Sequence, residues 1–89
     1  MKHIVKRAGH TETYDSRKLY ASIYAACLSV REPVGTAEVI ANDVVGSVEI
    51  WLTPKHEVTA NDIRHQSGKH LKVINNDAAY QYLHHRVIW

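Results

Sequence analysis

Eighty-nine residues, 45% apolar and 22% charged, suffice for one small hydrophobic core over residues 1–89 and leave nothing for a second lobe; the balance is that of a folded, soluble chain. No apolar run approaches the ~20 residues of a membrane span, and the start Met1-Lys2-His3-Ile4-Val5-Lys6-Arg7 holds no secretory stretch, so no membrane partner and a cytoplasmic location are expected. A single cysteine, Cys27, excludes an internal disulfide and any zinc site with two cysteines from one chain, and a net charge of +2 is too small to signal a nucleic-acid protein by itself.

In chain order, Lys2 to Arg7 reads as a short strand, β-branched at Ile4 and Val5, and His10 to Tyr14 as a second. A turn at Ala8-Gly9 would join them as a hairpin. Asp15 or Ser16 can cap a first helix with an inner stripe of Leu19, Ile23, Cys27 and Val30, running to about Arg31 because Pro33 disfavours helical geometry at Glu32. A second helix opens at Gly35-Thr36 with Thr36 as its cap, buries Ile40, Val44, Val48 and Leu52, and closes at Pro54. Glu57-Val58-Thr59 is a short extended piece. Thr59 followed by Asp62 is a capping-box pattern for a third helix through Ile63, Leu71 and Ile74. Asn75-Asn76 is a stop, and a last helix carries Ala79, Leu83 and Val87 inward with Tyr80 and Tyr82 on its sides. The fold class is α+β and mainly helical: a small four-helix bundle covered by an N-terminal β-hairpin or three-stranded sheet acting as a lid, with a cleft between the layers.

Charge is unevenly spread. Lys2, Lys6, Arg7, Arg17 and Lys18 outweigh Glu12 and Asp15 at the start. Glu32, Glu38, Asp43, Glu49 and Glu57 outweigh Arg31 and Lys55 in the middle, and Arg64, Lys69, Lys72 and Arg86 outweigh Asp62 and Asp77 at the end. This pattern suggests a local anion site more than a uniformly basic surface. The densest cluster, Lys6 to Leu19, combines four long cations, two carboxylates, an aromatic ring and a glycine. A polyphosphate needs several cations converging on it, and a purine needs an apolar slot with acceptors for its exocyclic amine. Glu12 and Asp15 can accept from an adenine amine, Tyr14 or Leu19 can pack on the ring, and Lys18 stands in a first helical turn whose free amides favour an anion. Lys6 and Arg7 point to opposite faces of a regular strand, so either the strand twists or only one of them reaches a phosphate. The plainer alternative is a solvated hairpin face.

Other chemistry is poorly supported. Of the seven histidines, His65 and His70 are five apart and His84 and His85 adjacent, spacings that do not put two metal ligands on one helix face, and no H-E-x-x-H occurs. Cys27 lies on an inner stripe, and neither G-x-S-x-G nor a P-loop is present, so the chain is read as not an enzyme. The segment Arg64 to Lys72 has the charge of a nucleic-acid-facing helix, but the preferred reading is a solvated face interrupted by Gly68.

The run Ile4-Val5-Lys6-Arg7-Ala8-Gly9, then Glu12-Thr13-Tyr14-Asp15 and Lys18-Leu19, resembles the opening V-x-K-R-[DN]-G…E-x-[FI]-[DN]-x-x-K-[IL] of the ATP-cone domain. Val58-Thr59-Ala60-Asn61-Asp62-Ile63 is similar to that family's second signature, and Ala79-Tyr80-Gln81-Tyr82 to its last helix. The resemblance implies an allosteric regulatory module with ATP or dATP as effector, alone or with Mg2+. In that family the domain is usually the activity switch of ribonucleotide reductase or the nucleotide sensor of the reductase-gene repressor. By matching position, Lys6, Arg7 and His3 would hold phosphates and Lys18 a phosphate or sugar. Glu12 and Asp15 would read the adenine amine, while Ile4, Tyr14 and Leu19 would line the base slot. Thr59 and Ala60 would meet phosphate and Arg64 the ribose. Ala8 and Ala60 depart from the family pattern, which has Asp or Asn at the first and in some members Thr at the second. The resemblance also implies association into a homo-oligomer, and the apolar end Val87-Ile88-Trp89 is expected to pack within the domain or against another subunit. The alternative class is a nucleic-acid-binding or structural protein-interaction module. The chain is expected to be either free-standing or part of something larger.

Overall fold

The computed structural model describes residues 3–5, 11–55 and 57–84. Their elements are β1 (His3–Val5), β2 (Thr11–Thr13), α1 (Ser16–Ser29), α2 (Val34–Leu52), β3 (Glu57–Thr59), α3 (Ala60–Ile74) and α4 (Asn76–His84). The turn expected at Ala8-Gly9 and the apolar end Val87-Ile88-Trp89 lie outside the described residues. The chain is mainly helical, and its four helices close a cycle: α1 packs on α2, α2 on α3, α3 on α4, and α4 returns to α1.

The expected inner stripes of the first two helices meet at the centre. Leu19, Ile23 and Cys27 of α1 and Val44, Val48 and Leu52 of α2 have almost no exposed surface, and Ala37, Ile40 and Ala41 join them. The 3.6-residue period puts each set on one face, and each fully buried Leu, Ile or Val stabilises the fold by about 1.5–3 kcal/mol. Ile63 and Leu71 come from α3, and Ala78, Ala79 and Tyr82 from α4. The two buried serines are satisfied within their own helices: Ser67 donates to the Ile63 carbonyl at 2.7 Å and Ser22 to that of Lys18 at 3.0 Å.

Helix ends explain where sequence expectation and structure part. α1 stops at Ser29 and not at Arg31. Arg31 takes φ 69, its amide donates to the Leu28 carbonyl, and the Glu32 amide donates back to that of Cys27. This is a Schellman reversal with arginine where glycine is usual. The chain therefore arrives at Pro33 already turned, and Pro33 itself, at φ −58 and ψ 149, is the N-cap of α2, its carbonyl accepting from Ala37 at 2.8 Å. Thr36 is thus not the cap; it lies in the first turn, and no side chain caps this helix. At the other end of α2, Thr53 Oγ1 donates to the Glu49 carbonyl, and Lys55 Nζ donates to that of Trp51 while lying 4.3 Å from the Trp51 ring centre.

Between α3 and α4 stands one residue. The Asn75 amide donates to the Leu71 carbonyl, its Oδ1 accepts from Ala78, its carbonyl accepts from Ala79, and its Nδ2 donates to Glu32 Oε2 at 2.9 Å. All its polar groups are used, tying both helices to the α1–α2 connection. The stripe expected on the last helix is rotated: Tyr82 is 4% exposed and Leu83 38%. Gly68 is the reason Leu83 sits where it does. It is buried and lies directly under the Leu83 side chain, so the expectation of a solvated face broken by a glycine does not hold there.

Candidate functional site

The three strands are short. β1 pairs antiparallel with β2, setting His3 opposite Thr13, Ile4 opposite Glu12 and Val5 opposite Thr11. It pairs parallel with β3, setting His3 opposite Glu57, Ile4 opposite Val58 and Val5 opposite Thr59. Within β3, Val58 is buried while Glu57 and Thr59 are exposed. Each outer strand feeds a helix: β2 leads through Tyr14 and Asp15 into α1, and β3 runs directly into α3. Because β2 and β3 run in opposite directions, the two helices start at opposite ends of β1. Strand spacing of ~4.8 Å and rise of ~3.3 Å per residue put the Cα atoms of Thr13 and Thr59 about 12 Å apart.

Both helix starts are capped by candidate residues. Asp15 accepts from the Arg17 amide at 2.9 Å, and the Arg17 guanidinium closes on the same carboxylate at 3.2 and 3.3 Å. Those Arg17 bonds, side chain first and backbone second, hold the Asp15 carboxyl below its usual range. Thr59 Oγ1 accepts from the Asp62 amide at 2.9 Å while the Thr59 amide donates to Asp62 Oδ2 at 3.1 Å, the capping box the sequence suggested. The acidic side chain beside α1 is therefore engaged with Arg17, a partner that sequence inspection missed although Asp15-Ser16-Arg17 at a helix start is the spacing for it.

The remaining candidates differ in setting. Lys18 is exposed in the first turn of α1. Leu19, next to it, is 0% exposed and belongs to the core. Ala60 is half-buried against the core at the start of α3, and Arg64 is half-buried one turn further along. Tyr14 is half-buried with its ring against the core. Its hydroxyl is fully enclosed and makes no hydrogen bond of good geometry. Burial first, then the negative field of Glu49 and Asp15 and a poorly aligned hydrogen-bonding contact of the hydroxyl with the Glu49 carboxylate, push its phenol well above the usual tyrosine range; the field of Tyr82 adds to this. The side chains of His3, Ile4 and Glu12, and the whole of Lys6 and Arg7, lie outside the described residues.

Elsewhere, burial and Glu32 push the Cys27 thiol up to about 11, so it is protonated at neutral pH. His70 Nε2 lies 3.3 Å from Asp43 Oδ2 and 3.2 Å from Ser47 Oγ, bridging α3 to α2. Both contacts use the same nitrogen, so Ser47, His70 and Asp43 do not form a relay in which the carboxylate orients one ring nitrogen while the other activates a hydroxyl. Among the described residues no three His, Cys, Asp or Glu side chains are grouped to hold a metal ion, and no helix is long and apolar enough to cross a membrane. An open groove lined by Ser29, Val30, Arg31, Asp77, Tyr80 and Gln81 contains none of the candidate residues.

A family model, the ATP cone domain, matches residues 2–89, nearly the whole chain. No curated protein and no solved structure matches the chain.

Proposed function

Since this chain belongs to the ATP-cone family, nucleotide-binding regulatory domains that take ATP or dATP as effectors, we propose that it is an adenine-nucleotide sensor whose site spans β1 and the two helix starts beside it. One observation supports this reading most. β1 brings together two segments far apart in the chain, the Glu12–Leu19 run on one side and Val58–Thr59–Ala60 on the other. Each ends in a capped helix N-terminus, where free backbone amides favour an anion.

In this reading the short sheet is the lid over the bundle. Lys6 and Arg7 follow Val5, and Val5 is opposite Thr59, so the phosphates belong at the start of α3 with Thr59 and Ala60; His3, opposite Thr13 at the other end of β1, stands with the base end instead. Glu12, Tyr14 and Asp15 belong to the base end, with Ile4 beside them, Leu19 forming the floor, Lys18 near sugar or phosphate and Arg64 at the ribose. Asp15 can serve the adenine amine only through acceptor capacity that Arg17 leaves free; Glu12 is then the principal acceptor. ATP and dATP differ by one hydroxyl, so a switch requires the two to favour different association states or different activities of a partner such as a ribonucleotide reductase. The module itself is regulatory and not catalytic, it acts in the cytoplasm, and a homo-oligomer is its natural readout.

Calorimetry with ATP, dATP and GTP tests the reading. Adenine-selective binding in the micromolar range is expected, weakened at least tenfold by Lys6→Ala and by Glu12→Ala; sizing chromatography with each nucleotide reads the association state. Absence of adenine selectivity, or DNA binding that falls steeply with salt and ignores nucleotide, refutes it.

A further inference from the structure

The proposed site needs a way to report its occupancy to the helices, and Tyr14 is placed to provide one. Its backbone lies between Thr13, the last residue of β2, and Asp15, the cap of α1, within the segment assigned to the base. Its ring leaves that segment and packs against the core. Its hydroxyl is enclosed and faces the Glu49 carboxylate of α2 in a poorly aligned hydrogen-bonding contact, with Tyr82 of α4 in electrostatic reach. Glu49 is an otherwise exposed residue in the last turns of α2, and Tyr82 is the only large side chain that α4 buries among its described residues. A single side chain thus joins the base end of the site, α2 and α4. A hydroxyl held only by a poorly aligned contact gains little from it, so a shift of that hydroxyl costs little there. Such a group is readily displaced, and its displacement changes the surroundings of both neighbours.

We propose that Tyr14 is the positioning residue through which occupancy of the nucleotide site is transmitted to α2 and α4, by moving its hydroxyl relative to Glu49 and Tyr82. This rests on the nucleotide-binding reading above. Coupling of this kind is reciprocal: a change at the α2–α4 end alters nucleotide affinity, although neither Glu49 nor Tyr82 belongs to the proposed site.

The test is a thermodynamic cycle on the whole chain with ATP as probe, joined to a spectroscopic readout. Glu49→Gln and Tyr82→Phe are each expected to shift the ATP Kd at least threefold, and Glu49→Gln introduced beside Tyr14→Phe is expected to add less than half of that shift. In 13C-tyrosine-labelled protein the Tyr82 ring signal, assigned by its loss in Tyr82→Phe, is expected to move on saturation with ATP in the wild type and to stay within half of that movement in Tyr14→Phe at saturation. Wild-type protein that binds ATP with no change at Tyr82, or a Glu49→Gln shift undiminished in the Tyr14→Phe background, overturns the coupling and leaves the nucleotide site standing. Failure of the folded wild type to bind any adenine nucleotide overturns both.

Discussion

Replacing Gly68 by alanine sets helix propensity against packing, and the structure decides which wins. In the interior of α3 the substitution stabilises the helix by about 0.8–1 kcal/mol. The added Cβ would meet Leu83 Cδ2 at 2.6 Å, Cγ at 2.9 Å and Cδ1 at 3.1 Å. Carbon atoms prefer ~3.5–4 Å, so the whole end of the Leu83 side chain must retreat by roughly an ångström. Overpacking of this kind costs about 1–3 kcal/mol. Leu83 is 38% exposed and can swing toward solvent, so the middle and not the top of that range applies. The net expectation is a loss of roughly 1 kcal/mol, or about 4–8 °C in Tm for a domain of this size. In a Leu83→Ala background the obstacle is gone and the same Gly68→Ala change is expected to stabilise by about 1 kcal/mol. The two effects differ by roughly 2 kcal/mol, a coupling well outside the error of a double-mutant cycle. Urea unfolding followed by far-ultraviolet circular dichroism measures all four proteins. An equal effect of Gly68→Ala in both backgrounds would refute the claim that Gly68 is needed for the approach of α4 to α3.

Arg31→Gly is expected to raise stability by up to ~1 kcal/mol, because Arg31 sits at φ 69, where a Cβ is unfavourable and glycine is not; an unchanged or lower urea midpoint would count against the Schellman reversal. Asn75→Ala removes an α4 cap and leaves Glu32 without its amide donor, for an expected loss of about 1–3 kcal/mol in urea unfolding, whereas a surface asparagine such as Asn42 should tolerate the change within ~0.5 kcal/mol. The Cys27 thiol is raised in the folded state, so its contribution to stability is fully present below pH 9.0 and is lost as pH rises through about 11. Cys27→Ala is expected to flatten the fall in stability across that window, and folded protein should react with a thiol reagent at neutral pH only as fast as it opens.

The legible parts of this fold were those decided within a few residues. Leu19, Ile23 and Cys27 of the first stripe and Ile40, Val44, Val48 and Leu52 of the second are buried as their spacing required, because a helix of 3.6 residues per turn leaves such a set only one face, while Val30, at the C-cap of α1, is only half-buried. The Thr59–Asp62 capping box is equally local, three residues closing on each other. The start of α2 was missed because its determinant lies upstream: Arg31 adopts a backbone conformation that no sequence rule assigns to arginine, and Pro33 then becomes the cap.

The residue types and order that carry the family resemblance were readable, and the family model matches residues 2–89. Their assembly was not. Composition and local spacing determined that α1 and α2 would be amphipathic, that α3 would begin at a capped Thr59, and that cations, carboxylates and an aromatic ring would crowd the first nineteen residues. Tertiary structure alone decided that Val5 stands opposite Thr59, that Tyr82 and not Leu83 turns inward, that Gly68 admits α4, and that Tyr14 ends beside Glu49. Each of these depends on which surfaces meet across tens of residues of chain, and a contact of that kind is selected by the shape of the whole core and leaves no periodic trace along the backbone.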